Sequence, residues 1–168
     1  YHPALRIEVQ RYFNLLMNKL LNGLSDISRR AGAAILEIYE REDHGIEIKA
    51  DDSPLTAADL AANKIIIEGL EALAPGIPIL SEESDEISYS ERKQWKKYFL
   101  VDPLDGTKEF INRNGEFTVN IALIENTVAV VGVVYVPCQD KLYVGDLNQG
   151  HAYVESKGVK KHLFTRPL

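Results

Sequence analysis

Past Gly115 the apolar residues of this chain change their period. Ahead of that point they recur at three- and four-residue steps. Beyond it, Thr118–Glu125, Val128–Val136, Lys141–Val144 and Ala152–Val154 are β-rich runs separated by turn residues at Asn126, Pro137 and Asn148. A 3.6-residue period suits a helix and a two-residue period suits a strand, and neither pattern serves for the other. The chain therefore predicts helices with short strands first and an antiparallel meander after them. That order specifies an α+β layer, with helices on one face of a mainly antiparallel sheet.

The first helix is predicted from Asn18 to about Arg41, where Leu20, Leu24, Ile27, Ala31, Ile35 and Ile38 form one face, with Gly45 as the break. Ile46 and Ile48 alternate with Glu47 and Lys49 as a short strand, and Asp51-Asp52-Ser53-Pro54 is a turn. Thr56 followed three residues later by Asp59 resembles a capping box. The helix it opens is expected to run to about Leu73 and to bury Leu60, Ile66, Ile67, Leu70 and Leu73, ending at Pro75, Gly76 and Pro78. Ile77–Leu80 reads as a strand that presents Ser81, Glu82 and Glu83 at its tip. Asp85–Lys97 reads as a polar loop with a helical turn. Tyr98–Val101 reads as a buried strand emptying into a turn, Asp102–Thr107.

Several functions are disfavoured at this stage. A formal net charge of −6 argues against binding a nucleic-acid polymer, which needs clustered Lys and Arg. No apolar run approaches the roughly 18 residues of a membrane span. The single cysteine, Cys138, has no disulfide partner and reads as an inert strand residue, so a reducing, cytoplasmic setting is expected, with peripheral attachment to the cytoplasmic face of the inner membrane also compatible. His2, His44, His151 and His162 are scattered without metal-ligand spacing and read as surface residues. The only methionine is Met17. Residues 1–16 are therefore expected to be an upstream or non-native extension, and residues 17–168 the α+β domain.

The chemistry gathers on carboxylates. Asp102 and Asp105 stand three apart after an apolar strand, with Pro103 between them and Gly106 following. Glu82 lies on another strand tip and Asp59 at a helix start. Like charges brought together are costly unless a cation neutralises them. Oxygen donors with no competing His or Cys cluster suit Mg2+, Mn2+ or Ca2+ rather than zinc. Gly106 and Thr107 add backbone N–H groups at what reads as a helical start, an anion site. Acids that hold metal beside an anion pocket imply metal-assisted phosphate hydrolysis. Asp102 and Asp105 taken alone are also ordinary turn formers, and Thr56 and Asp59 an ordinary cap. Glu83 and Lys108 read equally well as surface residues.

Asp102-Pro103-Leu104-Asp105-Gly106-Thr107, with Ser81-Glu82-Glu83 and Ser53-Pro54-Leu55-Thr56-Ala57-Ala58-Asp59 ahead of it, resembles the inositol monophosphatase superfamily. The longer string through Lys108-Glu109-Phe110 and Asn114-Gly115-Glu116-Phe117-Thr118-Val119-Asn120 resembles its bacterial 3′(2′),5′-bisphosphate nucleotidase branch. The resemblance runs from about Met17 to Gly150. It implies a layered sugar-phosphatase type of fold and a Mg2+-dependent phosphomonoesterase cleaving adenosine 3′,5′-bisphosphate to AMP and phosphate. By the same resemblance Glu82, Asp102 and the Leu104 carbonyl hold a first metal, and Asp102 and Asp105 share a second. Asp59 and Thr107 orient and deprotonate the attacking water. Gly106, Thr107 and Lys108 contact the phosphate, and Glu83 and Lys49 support the site from behind.

The superfamily also carries a second α/β half with a further aspartate in a Trp-Asp motif. The sole tryptophan here, Trp95, precedes Lys96. The resemblance thus implies the N-terminal half alone, with an incomplete second metal site and weak or no activity by itself. It also implies an exposed sheet face open to self-association or to a complementing chain. Two other readings remain at this stage. One is an inositol or fructose bisphosphate phosphatase of the same superfamily. The other is a non-catalytic remnant that binds metal or a partner.

Overall fold

The structure, a computed structural model, describes residues 3–41, 45, 47–48 and 54–164. Lys49, Asp51, Asp52, Ser53, His2 and His44 lie outside the described residues.

Helix α1 runs Pro3–Tyr39 and so begins well ahead of the expected Asn18. Residues 4–17 contain neither glycine nor proline, and Pro3 stands at the first helical position, where its missing N–H costs nothing. A helix already nucleated by its packed turns extends through such a stretch at little cost. Two short strands, β1 (Glu47–Ile48) and β2 (Pro54–Leu55), pair antiparallel ahead of α2 (Ala57–Leu73). The remaining elements are β3 (Ile79–Ser81), α3 (Tyr89–Arg92), β4 (Lys97–Asp105), α4 (Thr107–Ile111), β5 (Thr118–Glu125), β6 (Val128–Val136), β7 (Lys141–Asp146), β8 (His151–Ser156) and β9 (Val159–Leu163).

Strands β3 to β9 form one sheet in sequence order, parallel between β3 and β4 and antiparallel throughout the rest. The α+β architecture expected from the change in period is therefore the one observed. Two strands, β2 and β9, were not expected: Pro54, assigned to a turn, pairs in β2 with Ile48, and Val159-Lys160-Lys161-His162-Leu163 is exposed along its length, so the sequence carries no core-facing alternation there. Charged residues on a sheet's last strand also blunt edge-to-edge pairing.

Helices α1 and α2 pack against each other and onto one face of the sheet. Leu24, Ile27, Ala31 and Ile35 of α1 meet Ala58, Ala62, Ile66 and Leu70 of α2 over Phe99, Val119, Ile121, Val131 and Leu142, all buried. The expectation for Leu60 was wrong: it is 49% exposed. Ala58, Ala62, Ile66 and Leu70 follow a four-residue step, and Leu60 falls midway in that step, on the opposite side of the helix. Ile67 and Leu73 are only half-buried on its flanks. Cys138 sits in a 3-10 turn, Pro137–Gln139, not in a strand, and is exposed. His151 and His162, distant in sequence, bring their rings within 6.2 Å across β8 and β9.

Neither α1 nor α2 covers the opposite face of the sheet; α3 stands at its margin, and Arg92 lines the groove there. Leu100, Val134 and Tyr143 are exposed there. A groove of about 460 Å3 runs across this face, lined by Leu80, Glu82, Leu100, Asp102, Asn120 and Val134 among others.

Candidate metal and phosphate site

The acidic string is not the free turn expected from the sequence. It is the end of β4, and the turn comes only at Gly106. Asp102 pairs with Asn120 and Asp105 with Thr118 on β5. Three steps on β4 thus match two on β5, an inserted residue that makes a β-bulge. In a regular strand, side chains three apart point to opposite faces. The bulge reverses that parity. Phe99, Val101 and Pro103 are buried on the helix side and Leu104 is buried too, so Asp105 emerges on the same open face as Asp102.

Glu82 reaches the same place from β3. The parallel register pairs Ser81 with Val101, and the Glu82 N–H donates to the Val101 carbonyl at 3.1 Å. One further step sets Glu82 beside Asp102. The strand tip is braced from α2. The Ser81 hydroxyl donates to Asn63 Oδ1 at 2.7 Å, and Asn63 Nδ2 donates to the Glu83 carbonyl at 3.3 Å.

Asp59 arrives on the first turn of α2 and is buried. The capping box is complete: Asp59 Oδ2 accepts from the Thr56 N–H at 2.7 Å and the Thr56 hydroxyl at 2.5 Å, and Thr56 Oγ1 accepts from the Ala58 N–H at 3.2 Å. The other carboxylate oxygen, Oδ1, accepts from the Thr107 hydroxyl at 3.3 Å, and the same hydroxyl lies 3.3 Å from the Leu104 carbonyl. Burial raises the pKa of Asp59, against the hydrogen bonds from Thr56 and Thr107 that lower it.

Gly106 caps α4 at φ +94°, and a methyl group there would lie 3.0 Å from the Glu116 carbonyl oxygen. Only glycine meets both conditions without strain. Helix α4 is anchored by Phe110, buried between Tyr39 and Phe117 with ring centroids 5.2 and 5.3 Å away. Its first-turn N–H groups, from Thr107 and Lys108, have no partner within the helix. Lys108 itself is exposed.

Burial first, then the Glu82 and Asp105 carboxylates, and more weakly Asp59, push Asp102 up to about 7, while a hydrogen bond with the Leu104 backbone pulls the other way. Oδ1 of Asp102 is buried with no hydrogen-bond partner among the described residues. Among those residues, no group of three or more His, Cys, Asp or Glu side chains closes tightly enough to hold an ion by itself. The acids are neighbours that repel one another, not a finished cage. An orphaned carboxylate oxygen, like-charge crowding and an all-oxygen donor set nonetheless fit a hard divalent cation held by Glu82, Asp102, Asp105 and the Leu104 carbonyl.

The profile of the inositol monophosphatase family matches residues 16–166. The chain belongs to that family. It is 48% identical over 148 residues to the 3′(2′),5′-bisphosphate nucleotidase CysQ of Shigella flexneri, an alignment covering 88% of this chain and 59% of that protein. It is 39% identical over 158 residues to the protein of the same name from Haemophilus influenzae, covering 91% and 58%. The structure of CysQ from Bacteroides thetaiotaomicron, described as a bacterial member of the inositol monophosphatase family, superposes with a TM-score of 0.70 at 46% identity, over 83% of this chain and 49% of that one. The chain thus spans about 59% of the length of the curated relatives it matches.

Three residues beside these acids escaped the sequence reading: Asn63, Thr118 and Asn120. All three act across elements. Asn63 touches β3 from a helix, and Thr118 and Asn120 face the acids across β4 and β5. Their signal lies in strand register, which spacing along the chain does not carry.

Proposed function

We propose that this chain is the metal-holding portion of a Mg2+-dependent phosphomonoesterase acting on adenosine 3′,5′-bisphosphate and releasing AMP and phosphate. The observation that carries the reading is the Thr107–Asp59 hydrogen bond beside the crowded Asp102. The similarity to 3′(2′),5′-bisphosphate nucleotidases named CysQ supports the choice of a nucleotide bisphosphate.

In this reading Glu82, Asp102, Asp105 and the Leu104 carbonyl hold Mg2+, which makes water more acidic and stabilises the leaving oxygen. Thr107 Oγ1 orients the attacking water. As that water loses a proton to Thr107 Oγ1, the hydroxyl passes its own proton to Asp59 Oδ1. Burial of Asp59 favours the protonated product of that transfer. The N–H groups of the α4 first turn, beginning at Gly106 and Thr107, face the phosphate oxygens, with Lys108 adding charge from the exposed side. Glu83 supports the metal acids, and Lys49, the other supporting residue of this reading, lies outside the described residues.

The reading extends to the rest of the molecule. The open sheet face is a surface for self-association or for a complementing chain, and the chain alone turns over weakly or not at all. The working location is cytoplasmic; among the described residues no helix is long and apolar enough to cross a membrane.

Phosphate release in Mg2+ from adenosine 3′,5′-bisphosphate, inositol 1-phosphate and fructose 1,6-bisphosphate tests the assignment. The nucleotide is expected to be the preferred substrate, at below about 1 s−1 for the chain alone. Preference for either sugar phosphate overturns the substrate. Release at about 1 s−1 or faster by the unaided chain overturns the half-site reading.

A further inference from the structure

On β5, Thr118 and Asn120 stand opposite Asp105 and Asp102 respectively. Their side chains form a relay. The Thr118 hydroxyl donates to Asn120 Oδ1 at 3.0 Å, and Asn120 Nδ2 donates to Asp105 Oδ2 at 3.2 Å. The Asp105 contact sets the orientation of the carboxamide. A carboxylate can only accept, so it must meet the amide NH2 end, which leaves the oxygen end for the hydroxyl. The flipped amide would set its oxygen against Asp105, while the Thr118 hydroxyl, able to donate or accept, braces the orientation that the acid selects.

Asp105 is exposed at the end of its strand, and among the described residues its carboxylate has no hydrogen-bond partner besides Asn120. The residue that restrains it must donate a hydrogen bond without bringing charge. A lysine or arginine at position 120 would neutralise Asp105 and compete with a cation. An acid there would add repulsion to an already crowded group, since Asn120 also lies directly across from Asp102. A primary amide held by a hydroxyl satisfies both requirements.

We propose that Asn120 is a positioning residue. Braced by Thr118, it ties down Oδ2 of Asp105 and leaves Oδ1 aimed along the open face as a divalent-cation ligand. This rests on the reading of Asp105 as a metal ligand. It assigns the affinity of the site in part to two neutral β5 residues that touch no metal.

Mn2+ titration of the full 168-residue chain, followed by the electron paramagnetic resonance of free Mn2+, separates the two ideas. Asn120→Leu removes the amide at similar volume, and Thr118→Val leaves the amide in place but removes its brace. Asn120→Leu is expected to weaken Mn2+ binding by about 10-fold or more, the usual effect of removing a partner that orients a metal ligand. Thr118→Val is expected to weaken it by a smaller factor. Urea midpoints in chelator should match the parent for both, because a merely structural role would lower stability rather than affinity. Parent-like affinity in both variants, with the parent binding Mn2+, overturns the positioning role. A parent that does not bind Mn2+ overturns the metal reading itself, and the positioning role with it.

Discussion

The Thr107 hydroxyl donates to the Asp59 carboxylate at 3.3 Å, joining residues 48 apart in the chain. One lies at the start of α2 and the other at the start of α4, so the pair exists only when both helices are docked on the sheet. Thr107→Val removes the hydroxyl at constant size and leaves Asp59 held by Thr56 alone. Phosphate release is expected to fall about 100-fold or more relative to the parent, while Thr107→Ser retains most of it. Equal activity in the Val and Ser variants would argue that the hydroxyl carries no proton.

Asp102, raised to about 7 from an ordinary 3.8, gives the fold a pH dependence with a definite sign. Between those values the folded chain binds more protons than the unfolded chain. The stabilisation from this group is therefore present at low pH and is lost as pH rises toward 7. In chelator, the urea midpoint of the parent is expected to fall across that window relative to Asp102→Asn, which has nothing to ionise. Added Mg2+ should recover the parent above pH 7 and leave Asp102→Asn unmoved. A parent and variant that run parallel from pH 4 to 8 would contradict this.

Gly106→Ala combines a left-handed backbone with a contact to the Glu116 carbonyl oxygen. A loss of about 1–3 kcal/mol is expected from the backbone conformation. Chemical denaturation gives the number directly. The same substitution should weaken inorganic phosphate binding, because the α4 first turn shifts as the cap relaxes.

Val134 sits exposed on the uncovered face of the sheet, next to the groove. Val134→Lys should leave the unfolding midpoint within about 0.5 kcal/mol of the parent, as for other surface changes. It should also shift the sedimentation distribution toward monomer. A parent that sediments as a monomer at all concentrations would remove self-association from the reading.

Features that depend on neighbours along the chain were legible in the sequence. Thr56 and Asp59 show a capping box because its two hydrogen bonds link residues three apart. Strands β5 and β6 match their expected bounds because Val119, Ile121 and Leu123 alternate with less buried residues. Features that depend on neighbours across the chain were not. Asp102-Pro103-Leu104-Asp105 read as a turn because its composition is that of a turn, and only pairing with β5 shows a bulged strand. Leu60 read as buried because leucine usually is, although the small Ala58 and Ala62 hold the contact face. The start of α1 was missed because residues 7–16 are exposed, and helix propagation leaves no periodic trace.

The inserted residue at Pro103–Leu104 has one more implication. It makes the site a matter of counting as well as chemistry. Deleting a single codon between Asp102 and Asp105 would spare every acid, the capping box and Thr107. It would also turn one carboxylate into the apolar layer beneath the sheet. A relative could thus keep all the reactive residues and still be silent, its defect invisible to any comparison that scores residue types without spacing.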